Sequence, residues 1–269
     1  MTAKLALVGA AGRMGRKTIA LAADRPDCRI VAALEAAGHA ELGRDIGELV
    51  GRERCGVVLS DQCAADFDVL IDFSLPAGTM LWLAECVRRG RPLVIAATGH
   101  DAVATARIRE AAKHVAVLKA ANLSIGVNVL LRLARQLGEL LDPSWDVEIR
   151  EAHHRFKRDA PSGTALALRD AVAAGRAARG DGCPETIFGR HGETGPRPAG
   201  QIALHSLRLG GTVGEHAIAF GALGETLTLS HAAHSRDIFA AGALRAACWL
   251  VGRPPGLYDM PDVLFGGAG

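Results

Sequence analysis

Residues 4–15 read Lys4-Leu5-Ala6-Leu7-Val8-Gly9-Ala10-Ala11-Gly12-Arg13-Met14-Gly15. A short, mostly apolar run stops at a glycine, two more glycines follow at three-residue spacing, and Arg16 onward resumes with the spacing of an amphipathic helix. That is strand, tight turn and helix. Without Cβ atoms the turn can be sharp and its backbone can approach a pyrophosphate. The helix start behind it offers N–H groups and the positive end of its dipole to the anion. Arg13, Arg16 and Lys17 add positive charge. About 20 residues beyond Gly15 an acidic side chain, Glu35, closes a second apolar run, where it can accept hydrogen bonds from a ribose diol. Glycine loop and acid together predict a dinucleotide site.

Outward from this loop, short apolar runs alternate with helical patterns, as in a parallel sheet with crossover helices. Strands are expected at residues 4–8, 29–35, 68–73, 93–97 and 115–120, and helices at residues 14–24, 76–89 and 102–114. Pro76 falls in a first helical turn, where its missing N–H costs nothing. The fold class is α/β, with a Rossmann-like doubly wound parallel sheet. The pattern changes after Asn122. Residues 127–141 read as a longer helix, residues 146–152 as a strand, and residues 162–178 as a helix covering one face of a second sheet. Residues 201–209 and 215–232, punctuated by Gly210-Gly211 and the glycines at 221–224, read as a mostly antiparallel meander. Residues 183–200, with three prolines, read as a surface loop, and residues 237–251 as a final helix. Two domains are expected: residues 1–123 with 236–269 for the dinucleotide, and an α+β domain over residues 124–235.

Composition narrows the function classes. A 269-residue chain that is 49% hydrophobic can bury a substantial core. Its 31 basic and 29 acidic residues nearly cancel and form no long basic run, so nucleic acid is not an expected partner. No apolar run reaches the ~18 residues needed to span a bilayer, and no secretory leader is evident. A soluble, cytoplasmic protein is expected. Cys28, Cys55, Cys63, Cys86, Cys183 and Cys248 stand singly, with no C-x-x-C pair, so neither a zinc site nor a disulfide framework is expected.

Chemistry concentrates in residues 151–165, Glu-Ala-His-His-Arg-Phe-Lys-Arg-Asp-Ala-Pro-Ser-Gly-Thr-Ala. Asp159 or Ser162 can cap a helix whose first residues, Gly163 and Thr164, present N–H groups to an anion, with no side chain at Gly163 in the way. His153, His154 and Lys157 lie just upstream, able to supply a proton and positive charge to the same ligand. Adjacent residues of a strand point to opposite faces, so a loop must begin at the histidine pair if both are to reach one pocket. Neither H-x-x-x-H nor H-E-x-x-H spacing occurs, and no metal is expected.

This stretch, EAHHRFKRDAPSGTA, resembles the signature of the dihydrodipicolinate reductase family. So do VGAAGRMGR at residues 8–16, IDFS at 71–74, ATG at 97–99, AANLSIGVNVL at 120–130 and GGTVGEHAIAF at 210–220. The resemblance implies a reductase that transfers hydride from NADH or NADPH to a small cyclic dicarboxylate of lysine biosynthesis. It implies that His153 and Lys157 are catalytic, and that His154, Gly163 and Thr164 bind substrate. The implied cofactor contacts are Gly9, Ala10, Ala11, Gly12, Arg13, Met14, Glu35, Ala96, Ala97, Thr98, Ala120, Ala121, Asn122 and Leu123. A homotetramer assembled through the second domain is also implied.

Two positions depart from the family pattern. Ala36 stands where some members carry a basic residue beside the ribose-binding acid, which predicts that NADH serves at least as well as NADPH. Ala96-Ala97-Thr98 stands where relatives often have Gly-Thr-Thr. Two other readings share the plan: a dehydrogenase acting on another small acid such as aspartate, and a nucleotide-binding regulator without activity. The His-His-x-x-Lys spacing and the intact proton donors argue against both.

Overall fold

The computed structural model describes residues 2–182 and 184–266. Cys183, with the last three residues of the expected dinucleotide domain, lies outside the described residues. The chain opens with β1 (Ala3–Val8), α1 (Arg13–Ala22), β2 (Cys28–Leu34), α2 (Ile46–Leu49), β3 (Leu59–Ser60), β4 (Val69–Asp72), α3 (Pro76–Arg89), β5 (Leu93–Ile95), α4 (Ala102–Ala111) and β6 (Ala116–Lys119). It continues through α5 (Ile125–Leu140), β7 (Asp146–His153), α6 (Gly163–Arg179), β8 (Thr186–Ile187), β9 (Ile202–Arg208), β10 (Gly214–Gly221) and β11 (Thr226–Ala233). Last come α7 (Asp237–Leu250), β12 (Gly256–Tyr258) and α8 (Met260–Phe265). Two compact units result, residues 1–125 with 236–269, and residues 126–235.

The first unit is built on a seven-stranded sheet, β12-β6-β5-β4-β1-β2-β3, with every pairing parallel. Its central strands are apolar on both faces. Leu5, Leu7, Val69, Ile71 and Val94 pack with α1 and α7 on one side, while Ala6, Val8, Leu70, Leu93 and Ile95 pack with α3 and α4 on the other. This two-sided burial makes such strands read as continuous apolar runs. The strand order reverses beside β1, so the carboxyl ends of β1 and β4 open the crevice where ligands of doubly wound sheets bind. The short β3, α2 and β12 carry too few residues to show a period, and the sequence reading passed over them.

The second unit carries a five-stranded sheet, β11-β10-β7-β9-β8. Its long β10–β11 and β10–β7 ladders are antiparallel, but β7–β9 and β8–β9 are parallel. The expected simple meander is therefore corrected: β7 inserts between β9 and β10, because the crossover through α6 returns β9 parallel to β7. The expected surface loop at residues 183–200 also contributes β8, which pairs with β9. Alternate residues Val147, Ile149, Ile202, Leu204, Ile218 and Phe220 face Ala165, Leu168 and Val172 of α6. Helices α5 and α6 meet closely, since a Cβ on Gly175 would lie 2.1 Å from the Arg135 carbonyl oxygen.

Candidate functional site

In the first unit, the turn after β1 is held by backbone packing. Gly9 has φ +72°, and a Cβ there would lie 2.9 Å from the Phe73 carbonyl oxygen. A Cβ on Gly15 would lie 2.2 Å from the Gly9 carbonyl oxygen. Gly12 occupies the N-cap of α1 without a side chain to satisfy the helix start, leaving that end suited to an anion. Glu35, just past β2, accepts from the Ala11 N–H at 3.2 Å through one oxygen and from the Ala36 N–H at 3.1 Å through the other. The acid is thus tied to the glycine loop.

A cavity of about 850 Å³ opens beside these residues, bounded by Val8, Gly9, Gly12, Glu35 to Ala37, Asp61 to Cys63 and the Phe73–Glu85 stretch including Leu81 and Trp82. It is largely apolar, and the Glu35 carboxylate is among its few polar lining groups. Its charged lining residues are Glu35, Asp61 and Glu85, all acidic. Arg16, one of the cations expected near a phosphate, is committed elsewhere: it donates to the Ala11 and Leu49 carbonyl oxygens at 2.8 and 2.6 Å and pairs with Glu41. Lys17 is paired with Asp237 at 2.5 Å.

Asp72, fully buried, organises the wall of this cavity and was missed in the sequence reading. It accepts from the Ser74 N–H and hydroxyl at 2.8 and 2.5 Å and from the Thr79 hydroxyl at 2.5 Å, fixing the turn into α3. The signal was present in the spacing Asp72-x-Ser74, an Asx-type turn before Pro76. Ala96, Ala97 and Thr98 leave the end of β5, with the Ala96 N–H bonded to the Asp72 carbonyl oxygen at 2.9 Å. They run into His100, whose two ring nitrogens are buried without a partner. Ala120 and Ala121 leave β6, and Asn122 accepts from the Ser124 N–H at 2.9 Å to turn the chain around buried Leu123 toward α5. Arg13 and Met14 open α1.

In the second unit the expected residues fall around the end of β7. Ser162 is the N-cap of α6, accepting from the Ala165 N–H at 3.2 Å. Of the two capping candidates, then, Asp159 is excluded; it instead pairs with the Lys157 ammonium at 2.9 Å. That contact holds the Asp159 carboxyl below its usual range. Gly163 is exposed, and no atom lies within 4 Å of where its Cβ would be, so a ligand can reach the start of α6. Thr164 follows on the first turn. His154 lies beyond β7 in the expected loop, its ring beside Phe156 at 6.3 Å and its Nδ1 buried without a partner.

His153 ends β7 and binds Glu151 through Nδ1. Glu151 is 1% exposed and also accepts from Arg208 at 2.9 Å and from the Ser162 N–H at 3.3 Å. Burial raises the Glu151 carboxyl, but bonds from His153, Arg208 and Ser206 outweigh it and leave the group below its ordinary range. His153 is also lowered, first by burial and then by Lys157 and Arg208, against the pull of Glu151. At neutral pH its Nδ1–H therefore faces the carboxylate and Nε2 carries the lone pair. Beside it, His216 is 5% exposed and pushed down to about 4 by burial and by His153. The two rings meet edge to face at 5.3 Å, and His216 Nε2 lies 3.2 Å from the Ser162 hydroxyl.

Glu151, Arg208 and His216 were not among the expected site residues. Register assembles them: β10 places His216 opposite Glu151, and β9 places Arg208 opposite His153. Pairing between strands so distant in sequence leaves no local signal.

Known proteins carry the same plan. Residues 3–123 match the family model described as dihydrodipicolinate reductase, N-terminus, and residues 126–264 match dihydrodipicolinate reductase, C-terminus. Among solved structures, the dipicolinate-bound dihydrodipicolinate reductase from Paenisporosarcina sp. TG-14 is 25% identical, with TM-score 0.76 over 96% of this chain and 98% of that one. An amine dehydrogenase from Mycobacterium smegmatis is 14% identical, with TM-score 0.65 over 96% and 94% of the two chains. A myo-inositol dehydrogenase from Corynebacterium glutamicum is 17% identical, with TM-score 0.55 over 92% and 87%. The last two share the fold.

Proposed function

Because the chain belongs to the dihydrodipicolinate reductase family, and so is an NAD(P)H-dependent reductase of the diaminopimelate route to lysine, we propose which of its residues perform the reaction. Residues 1–123 with 236–269 hold the dinucleotide, and residues 124–235 hold 4-hydroxy-tetrahydrodipicolinate, which the enzyme reduces to tetrahydrodipicolinate with loss of the 4-hydroxyl as water. The pyrophosphate lies on the Gly9–Met14 turn and the ribose on Glu35, with Ala96 to Thr98 and Ala120 to Leu123 toward the nicotinamide. When bound, the nicotinamide supplies the hydride.

The remaining chemistry falls to side chains of the second unit. Gly163 and Thr164 at the start of α6, with His154, hold the substrate carboxylates, so that orientation lowers much of the barrier. The Lys157 ammonium donates the proton that balances the arriving hydride, and its positive charge offsets the electron density reaching the ring. His153 gives or accepts a proton at Nε2, with its ring and tautomer held by Glu151. The observation that carries this reading is the buried Glu151 locked to His153 beside a helix start that is open at Gly163.

An acidic cavity lining and an engaged Arg16 both disfavour a 2′-phosphate, so NADH serves at least as well as NADPH. The enzyme is a cytoplasmic homotetramer in this reading. Assembly runs through the second unit, where Phe188, Leu207, Leu209 and Leu223 are exposed. Among the described residues no helix is long and apolar enough to cross a membrane.

The test is a coupled assay with dihydrodipicolinate synthase, pyruvate and aspartate semialdehyde. Loss of nicotinamide absorbance that depends on every component is expected; no loss with either NADH or NADPH overturns the reading. Sedimentation at micromolar concentration should give four chains per particle, and a monomer removes the assembly.

A further inference from the structure

We propose that Asp27, Cys28 and Cys248 form a binding site for a thiophilic divalent cation of the zinc and cadmium class, placed at the opposite end of the β2 strand from Glu35. One ligand atom from each of the three residues lies within 4.8 Å of the other two. Among the described residues this is the only such convergence of three histidine, cysteine or acidic side chains. In a tetrahedral zinc site, Zn–S bonds of about 2.3 Å and Zn–O bonds of about 2.1 Å put the donors roughly 3.5–3.8 Å apart. The three side chains need to draw in only slightly to reach that spacing.

The site is built on rigid elements. Cys28 opens β2 and pairs in register with Ala3 of β1, while the Asp27 carbonyl oxygen accepts from the Ala3 N–H at 2.9 Å. Cys248 lies in the last turn of α7, whose inner residues Ala243, Leu244, Ala247 and Leu250 belong to the same core cluster as Cys28. Strand start and helix end are therefore both held by packing, and the donors converge without a loop having to order.

Charge suits the same occupant. A thiophilic cation that binds between the two sulfurs displaces the thiol protons and converts both to thiolates. Arg25 stands behind Asp27, donating through Nε and one terminal nitrogen at 2.8 and 2.5 Å. Each carboxylate oxygen keeps a further lone pair for a metal, and this arginine supplies the outer-shell orientation that ligating carboxylates usually have. Two thiolates, one carboxylate and one guanidinium sum to two negative charges, which a divalent cation neutralises. Cys28 is 2% exposed, Cys248 partly buried and Asp27 exposed, so a water can complete the tetrahedron from the Asp27 side.

The experiment takes the full chain in a phosphine reductant, dialyses it against Zn²⁺ or Cd²⁺, and desalts it. A single retained equivalent is expected, with ultraviolet thiolate-to-cadmium charge-transfer absorption in the Cd²⁺ form. Cys28→Ala and Cys248→Ser each abolish both, whereas Cys55→Ser, at an exposed thiol outside the cluster, changes neither. Asp27→Asn weakens retention by ~100-fold or more, beyond the usual cost of losing an outer-shell partner. If Cys28→Ala does not fold, Cys248→Ser decides, together with alkylation of the unmodified chain, in which Zn²⁺ should shield Cys248 from iodoacetamide. Substoichiometric retention, a band that survives both cysteine changes, or unaltered affinity in Asp27→Asn would overturn the three-donor site. So would a Cys28–Cys248 disulfide that forms readily with peroxide in a chain that takes up no metal in reductant.

Discussion

In the glycine loop of the first unit, the groups positioned to meet a ligand are backbone N–H groups, and the side chains matter by being absent. In the histidine turn of the second unit, they are mainly side chains of β7 and the loop after it, with Arg208 of β9 and His216 of β10 brought beside them. A ligand-binding surface made of backbone can be written in seven consecutive residues, because the geometry is local. One made of side chains needs register across strands to bring Glu151, Arg208 and His216 around His153. The first therefore fails wholesale when one atom is added, while the second degrades residue by residue.

The largest effect should come from the backbone site. Gly12→Asp puts a carboxylate where a pyrophosphate would lie, and fluorescence titration should find no binding of NADH or NADPH below millimolar while the fold persists. Binding that survives would show that the loop does not carry the phosphates. In the side-chain site the sharpest single change is Lys157→Ala, which should lower turnover by ~100-fold or more, the usual scale for losing a positioned acid. Its ammonium is partly exposed and its partner Asp159 lies at the surface, so thermal unfolding should hardly move. Near-normal turnover would remove Lys157 from the reaction.

The same comparison extends to pH. His216 is pushed down to about 4 by burial, against about 6.5 in an unfolded chain, so below pH 6.5 the unfolded state takes up a proton that the folded state refuses. Stability is then lost as pH falls from about 6.5 toward 4, by roughly 2–3 kcal/mol from this one ring. His153 acts in the same direction. Denaturant titrations across that window should show the decline, and His216→Asn should flatten it; an unchanged slope would mean the ring is not held neutral. The smallest effect concerns the cofactor. The unmodified enzyme should use NADH at least as efficiently as NADPH, and Ala36→Arg should shift the ratio toward NADPH by about 10-fold, or 1.4 kcal/mol. A wild-type preference of about 10-fold for NADPH would contradict the acidic pocket.

Legibility followed the range of the interactions. Strands β1, β2, β4, β5 and β6 were readable because two-sided burial writes each as an apolar run, and α3 because Pro76 marks its start. Ser162 and Asp159 could not be separated as caps from spacing alone. The choice depended on Lys157 reaching Asp159 and on the Ser162 hydroxyl turning to the Ala165 N–H. The meander was misread because glycine turns report where the chain reverses, not which strand it returns beside.

By itself the amino-acid sequence determined the glycine loop between strand and helix, the acid at the end of β2, the two-part organisation and the histidine-to-threonine stretch, since each is a pattern over neighbouring residues. Tertiary structure alone decided that β7 lies between β9 and β10, that Glu151 stands under His153, that Arg16 is engaged by Ala11, Leu49 and Glu41, and that Cys28 meets Cys248. Those contacts join residues far apart in the chain. Sequence spacing carries no record of them, because they exist only once burial has fixed the register of each strand and the seat of each helix.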